Sequence, residues 1–162
     1  MSSDADVLES TVSHALSGKG AHIEAVSALE GLDWKLAGSR PHGAPYSIFE
    51  LLSHIIYWQD WVVKWLDGKE PPIPKHASGS WPVREGPRSA EEWEKVTGRF
   101  KKGLDELNRR SREQDLLSKQ RKKTPLKMLH TIASHNSYHL GQVALLRRIS
   151  GGWPPPSGGL TW

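Results

Sequence analysis

The 162-residue chain contains no cysteine. That excludes disulfide scaffolds, Cys-ligated zinc, iron–sulfur clusters and a thiol nucleophile of the chain's own, and leaves any metal ion to histidine or carboxylate. Long apolar runs are lacking too. The first 30 residues hold none, and no stretch approaches the ~20 apolar residues of a membrane span, so neither a signal peptide nor a membrane helix is expected and the cytoplasm is the default location. Strand signals are sparse, because β-branched residues are scattered and no run alternates with a period of two. Charge of one sign is not in large excess: 22 Lys and Arg stand against 18 Asp and Glu, a net +4 that speaks for solubility more than for a nucleic-acid partner. No internal repeat is visible.

What is present is an ordinary globular composition, 36% apolar with 15 glycines. The length is close to the commonest domain size and predicts one domain over residues 1–162. Helical signals recur along it. A helix is expected from about Asp4 to Leu16, closed by Ser17-Gly18-Lys19-Gly20, and a short one from about Ala21 to Leu32. In Gly43-Ala44-Pro45-Tyr46-Ser47-Ile48 a proline suited to a helix start precedes Ile48, Leu51, Leu52, Ile55 and Ile56, a pattern that runs to Leu66 before Gly68 and Pro71 stop it. Residues 69–88 carry Pro71, Pro72, Pro74, Pro82 and Pro87, a loop long enough to be a lid or a mobile connector. Ser89-Ala90-Glu91-Glu92 reads as a capping box that opens a helix through Trp93, Val96, Phe100, Leu104 and Leu107. After a basic connector, Thr124-Pro125 caps a last helix carrying Met128, Ile132, Val143 and Leu146 and ending at Gly151. The Gly- and Pro-rich tail, Gly152 to Trp162, is expected to lie extended over the surface. Three or four long amphipathic helices describe an all-α bundle.

Eight histidines are the other conspicuous feature. His135 and His139 are four residues apart, so both rings leave one face of the last helix one turn apart and can share an ion. They lie on the stripe of Ile132, Gln142, Val143 and Leu146, which faces the bundle interior. The plainer alternative is a pair of hydrogen-bonded core histidines. A third, His54, lies on the stripe of Leu51, Trp58, Trp61 and Trp65, facing inward from the first long helix. Inward histidines on two core helices are costly unless satisfied, and one divalent ion satisfies several ring nitrogens at once. Three protein ligands with an open fourth position is also the expected arrangement of catalytic zinc.

His130 should face away from that point, and His14, His22, His42 and His76 sit near helix ends or in loops, His22 being a candidate pocket residue. Position 136 is Asn, so the Glu general base of a zincin motif is missing. Gln142, Tyr138 and Ser134 are near enough on the same helix to contact the ligands or a substrate, and Glu50 and Asp60 are candidate bases. The Trp58, Trp61, Trp65 stripe could line an aromatic substrate pocket but reads first as core, with Trp58 kept as a candidate pocket residue. The runs Arg109-Arg110-Ser111-Arg112 and Arg121-Lys122-Lys123 lack interleaved aromatics and read as a solvated face, which makes nucleic acid an unexpected partner.

These residues resemble the DinB/YfiT-like family of metal-dependent enzymes, within the DinB-like four-helix bundle superfamily. The resemblance rests on Gly20-Ala21-His22, on Ala44-Pro45-Tyr46-Ser47-Ile48-Phe49-Glu50-Leu51-Leu52-Ser53-His54-Ile55, on His135-Asn136-Ser137-Tyr138-His139-Leu140-Gly141-Gln142, and on Trp153-Pro154. It implies a four-helix bundle, often a homodimer, with a divalent metal held by His54, His135 and His139. It implies thiol S-transfer with a low-molecular-weight thiol, or metal-dependent hydrolysis, as candidate activities on a small-molecule substrate. The expectation is therefore an enzyme holding Zn or Ni that activates a thiol or water. The alternative is a non-catalytic dimeric module with a structural metal.

Overall fold

The computed structural model describes residues 3–119 and 122–159. Among these residues there are five α-helices and no strand. Helix α1 (Asp4–Ser17) starts where the Ser3 hydroxyl and the Asp6 carboxylate close a reciprocal cap, and stops at Gly18, whose φ of +81° lies in the left-handed region. Helix α2 (Trp34–Ala37) is a single turn capped by Asp33. The long helices α3 (Ile48–Leu66), α4 (Ala90–Glu113) and α5 (Pro125–Ile149) carry the rest of the bundle. Helices α1 and α3 each pack against both α4 and α5, while α4 and α5 touch only lightly, so the order around the four-helix bundle is α1, α4, α3, α5.

Several expected boundaries shift for identifiable reasons. Residues 21–32 form no α-helix, only a 3-10 turn at Ser27–Leu29. The window is closed at both ends by left-handed glycines, Gly20 and Gly31, and is too short to hold a helix on its own. Tertiary burial of Ile23, Ala25, Ala28, Leu29 and Leu32 sets its path instead. Helix α3 begins after Ser47, not at Pro45: the Ser47 hydroxyl accepts from Glu50 N while the Glu50 carboxylate accepts from Ser47 N. At α4 the reverse holds. Ser89 caps the helix, but Glu92 accepts from Arg88 N and from Arg84, so the capping box is not closed. Helix α4 also runs past Leu107 to Glu113, absorbing Arg109, Arg110 and Arg112. Arg109 pairs with Glu106 and Glu113, and Arg110 with Glu106, at the spacing at which ion pairs support a helix surface, while Arg110 also reaches Asp67 at the end of α3. Of the second basic run, Arg121 lies outside the described residues, as do Leu160 to Trp162 of the tail.

Two contacts between segments distant in sequence fix the loops. Gly38 and Gly86 cross backbone to backbone, so close that a Cβ at Gly86 would lie 2.9 Å from Gly38 Cα. Buried Arg147 donates to the carbonyls of Ala28 and Gly152, tying the N-terminal segment and the tail to α5. The tail continues along the surface past Gly31 and turns at Pro155–Gly158.

The buried apolar residues form two clusters. One gathers Ile48 to Ile56 of α3, Phe100 and Leu104 of α4 and Leu140 to Leu146 of α5. The other gathers Val12, Leu16, Val62 to Leu66, Leu107 and Met128 to Ala133. Where they meet, the interior is polar: Gln59 of α3 and Asn136 of α5 are buried there, with His54 and His139 beside them.

Candidate metal centre

His54, His135 and His139 converge at this seam, and a ring nitrogen from each lies within 4.8 Å of the others. The Nε2 atoms of His54 and His135 are 3.2 Å apart. Helical phase accounts for the convergence: His135 and His139 lie one turn apart on α5, and His54 faces them from α3.

Each ring's other nitrogen is engaged. His54 Nδ1 lies 3.1 Å from the Ser80 carbonyl, His139 Nδ1 is 2.7 Å from Gln142 Oε1, and His135 Nδ1 is 3.4 Å from Asn136 Oδ1. A carbonyl oxygen only accepts, so His54 carries its proton on Nδ1, and in the neutral ring Nε2 is a bare lone pair. The same reasoning with the Gln142 oxygen leaves His139 Nε2 bare. All three rings are held below the ordinary histidine range. Burial is the first cause for each; His139 lowers His54 and His135 further, and His135 falls to about 4. Protonation is thus disfavoured where the nitrogens crowd together.

The donor set fits a divalent ion. Two imidazole nitrogens on a tetrahedral zinc at 2.0–2.1 Å are about 3.3 Å apart, close to the His54–His135 separation, and Nδ1–H donation to carbonyl-type oxygens is the usual way ligand rings are oriented. Without an ion, a proton on His135 Nε2 would satisfy the pair, at the expense of the long contact to Asn136.

Aromatic rings enclose the cluster. Trp81 stacks on His54 with centroids 4.0 Å apart, and Tyr46 stacks on Trp81 at the same distance. Trp58 meets His54 and His135 edge-on at 6.4 Å, and Tyr138, mostly exposed, flanks His139 at 5.0 Å. Of the tryptophan stripe on α3, only Trp65 is core. Trp58 and Trp61 are half-buried, because the 69–88 loop covers this side of α3 in place of another helix. That loop is a wall of the site: its 3-10 turn (Ala77–Ser80) delivers the Ser80 carbonyl and Trp81 to His54.

Other expected residues stand elsewhere. Glu50 is buried against Arg40 and the start of α3, and Asp60 pairs with Arg99, so neither carboxylate is directed at the histidines. Ser134 and His130 are exposed, as are His14, His42 and His76. His22 binds the Ile23 carbonyl and Ser137, joining the N-terminal segment to α5 away from the cluster. Ser80, Trp81 and Tyr46 reach the site from loops without periodicity, so nothing in their spacing marks them, and the contact of Asn136 with His135 is signalled in the sequence by adjacency alone.

Among the described residues no helix is long and apolar enough to cross a membrane. The sequence profile of the DinB superfamily matches residues 22–143, well over half of the chain, and the chain belongs to that superfamily. No curated protein and no solved structure gives a significant match.

Proposed function

We propose that this DinB-superfamily chain is a metal-dependent enzyme in which His54, His135 and His139 hold one divalent ion, Zn or Ni, beside a small-molecule site, and that it transfers a low-molecular-weight thiol to an electrophile or hydrolyses its substrate. The observation that carries this reading is the 3.2 Å approach of two imidazole nitrogens, one on buried His54 and one on half-buried His135, whose rings are oriented from behind by oxygen acceptors. A divalent ion bound there would lower the pKa of a coordinated thiol or water toward neutrality. The chain's residues supply position and shielding. Gln142 and Ser80 set the ring tautomers, and Trp58 and Trp81 keep water from the flanks. Gln142 also lines a cavity of about 390 Å³ walled by Tyr46, Leu51, Leu145 and Leu146, which suits an apolar part of the substrate. With no cysteine in the chain, a reacting thiol arrives as a substrate.

Elemental analysis of purified protein tests the site. One equivalent of divalent metal is expected in the wild type and a loss in His54→Ala and His139→Ala; equal metal in all three would overturn the assignment. For the reaction, metal-dependent conjugation of an electrophile to a thiol is expected. Turnover of an ester or amide with no thiol active selects hydrolysis.

A homodimer of a single-domain, cytoplasmic protein is part of the same proposal. Tyr138, Leu145 and Ile149 leave a stripe of α5 exposed at 67%, 58% and 46%, an apolar strip of the kind a second copy would cover. The second reading, a dimeric binding module with a structural metal, predicts a closed four-ligand shell and no turnover.

A further inference from the structure

A cavity of about 430 Å³ opens between α3, α4 and the 69–88 loop, lined by Ser80 and Trp81 but by none of the three histidines. Its size suits a small ligand. Tyr57, Asp60, Trp61 and Lys64 reach it from one stripe of α3, spaced three, four and seven residues from Tyr57, so a single helix face presents two rings and two charges to one space. Trp81 adds a third ring. The Trp61 N–H is already donated to the Pro72 carbonyl at 3.2 Å, so what that indole offers a ligand is apolar contact.

The charges are unequal in their commitments. Arg99, across the cavity on α4, holds Asp60 at 2.8 Å and the two cancel. Lys64 makes no ion pair among the described residues. The cavity therefore offers flat apolar walls and one uncommitted cation. A cationic ligand would have to displace Arg99 from Asp60, and a ligand with two or more negative charges would exceed the charge available.

We propose that this cavity binds a small monocarboxylate bearing a flat ring, with the ring among Tyr57, Trp61 and Trp81 and the carboxylate on Lys64. The site is separate from the metal centre, although Ser80 and Trp81 serve both, and it does not depend on the enzymatic reading.

Phenylacetate is the probe, titrated into the full-length protein with and without added zinc and followed by calorimetry and tryptophan fluorescence. Saturable binding at one site is expected in both states. Phenylacetamide, which lacks the charge, and the variant Lys64→Glu should each weaken binding by about tenfold or more, as expected for loss of a charge-assisted hydrogen bond. Val96→Trp, which fills the cavity from α4, should abolish it. His139→Ala should leave it intact. The proposal is overturned by absence of saturation below about 10 mM, by equal binding of acid and amide, by unchanged binding in Lys64→Glu, or by loss in His139→Ala, which would place the carboxylate at the histidine cluster instead.

Discussion

His54 Nδ1 faces a carbonyl oxygen and His139 Nδ1 faces an amide oxygen, so both rings present bare Nε2 lone pairs to the same interior point. The Gln142 side chain is the more easily tested of these supports, because it is half-buried and, among the described residues, hydrogen-bonds to His139 alone. Gln142→Ala is expected to weaken metal binding by about 10- to 100-fold with folding preserved; competition with a chromogenic chelator measures it, and unchanged affinity would show that His139 needs no support. Protonation gives a second test at this scale. Burial lowers all three histidines, His135 to about 4 from an ordinary 6.5. Between those values the unfolded chain binds more protons than the folded one, so the metal-free protein keeps its full stability above about 6.5 and loses it as pH falls toward 4. Urea midpoints of the metal-free protein across that window should decline, and a flat profile would contradict the burial of the cluster.

The elements show which parts of this arrangement periodicity could reveal. His135, His139 and His54 were legible because each sits on an amphipathic helix, where spacing alone fixes direction. Ser80 and Trp81 were not, since the 69–88 loop gets its path from contacts such as the Gly38–Gly86 crossing and the hydrogen bond from Ser47 Oγ to the Glu85 carbonyl. The end of α4 lies beyond the last apolar residue of the pattern, because a run of arginines reads as a connector until the carboxylates one turn away are counted with it. Residues 21–32 depart from the helix their apolar spacing suggests, with left-handed Gly20 and Gly31 bounding the segment. The polar seam yields a prediction about α3 itself. Both amide atoms of Gln59 are buried without a hydrogen-bond partner, against Gly103 of α4. Gln59→Met keeps the length and removes the unsatisfied amide, so it should raise stability by about 1 kcal/mol, the lower end of the penalty for such a group. Denaturant midpoints check it, and a marked loss would mean that the amide has a partner, such as a buried water.

For the whole molecule, the bundle brings two apolar clusters together and leaves the histidines at their junction, between α3 and α5. An ion that binds only the folded state stabilises it by mass action, by about 2.7 kcal/mol at a free concentration 100 times Kd. Melting temperature should therefore rise with zinc or nickel in the wild type and stay constant in a variant lacking two of the three histidines. At the centre of the molecule three imidazoles and no fourth protein group are proposed to hold one ion. X-ray absorption at the metal edge of the loaded protein addresses it most directly. Three imidazole nitrogens at about 2.0–2.1 Å are expected, with one further light atom that exchanges with added ligand. A shell with fewer than three imidazoles, or one closed by four protein ligands, would contradict it.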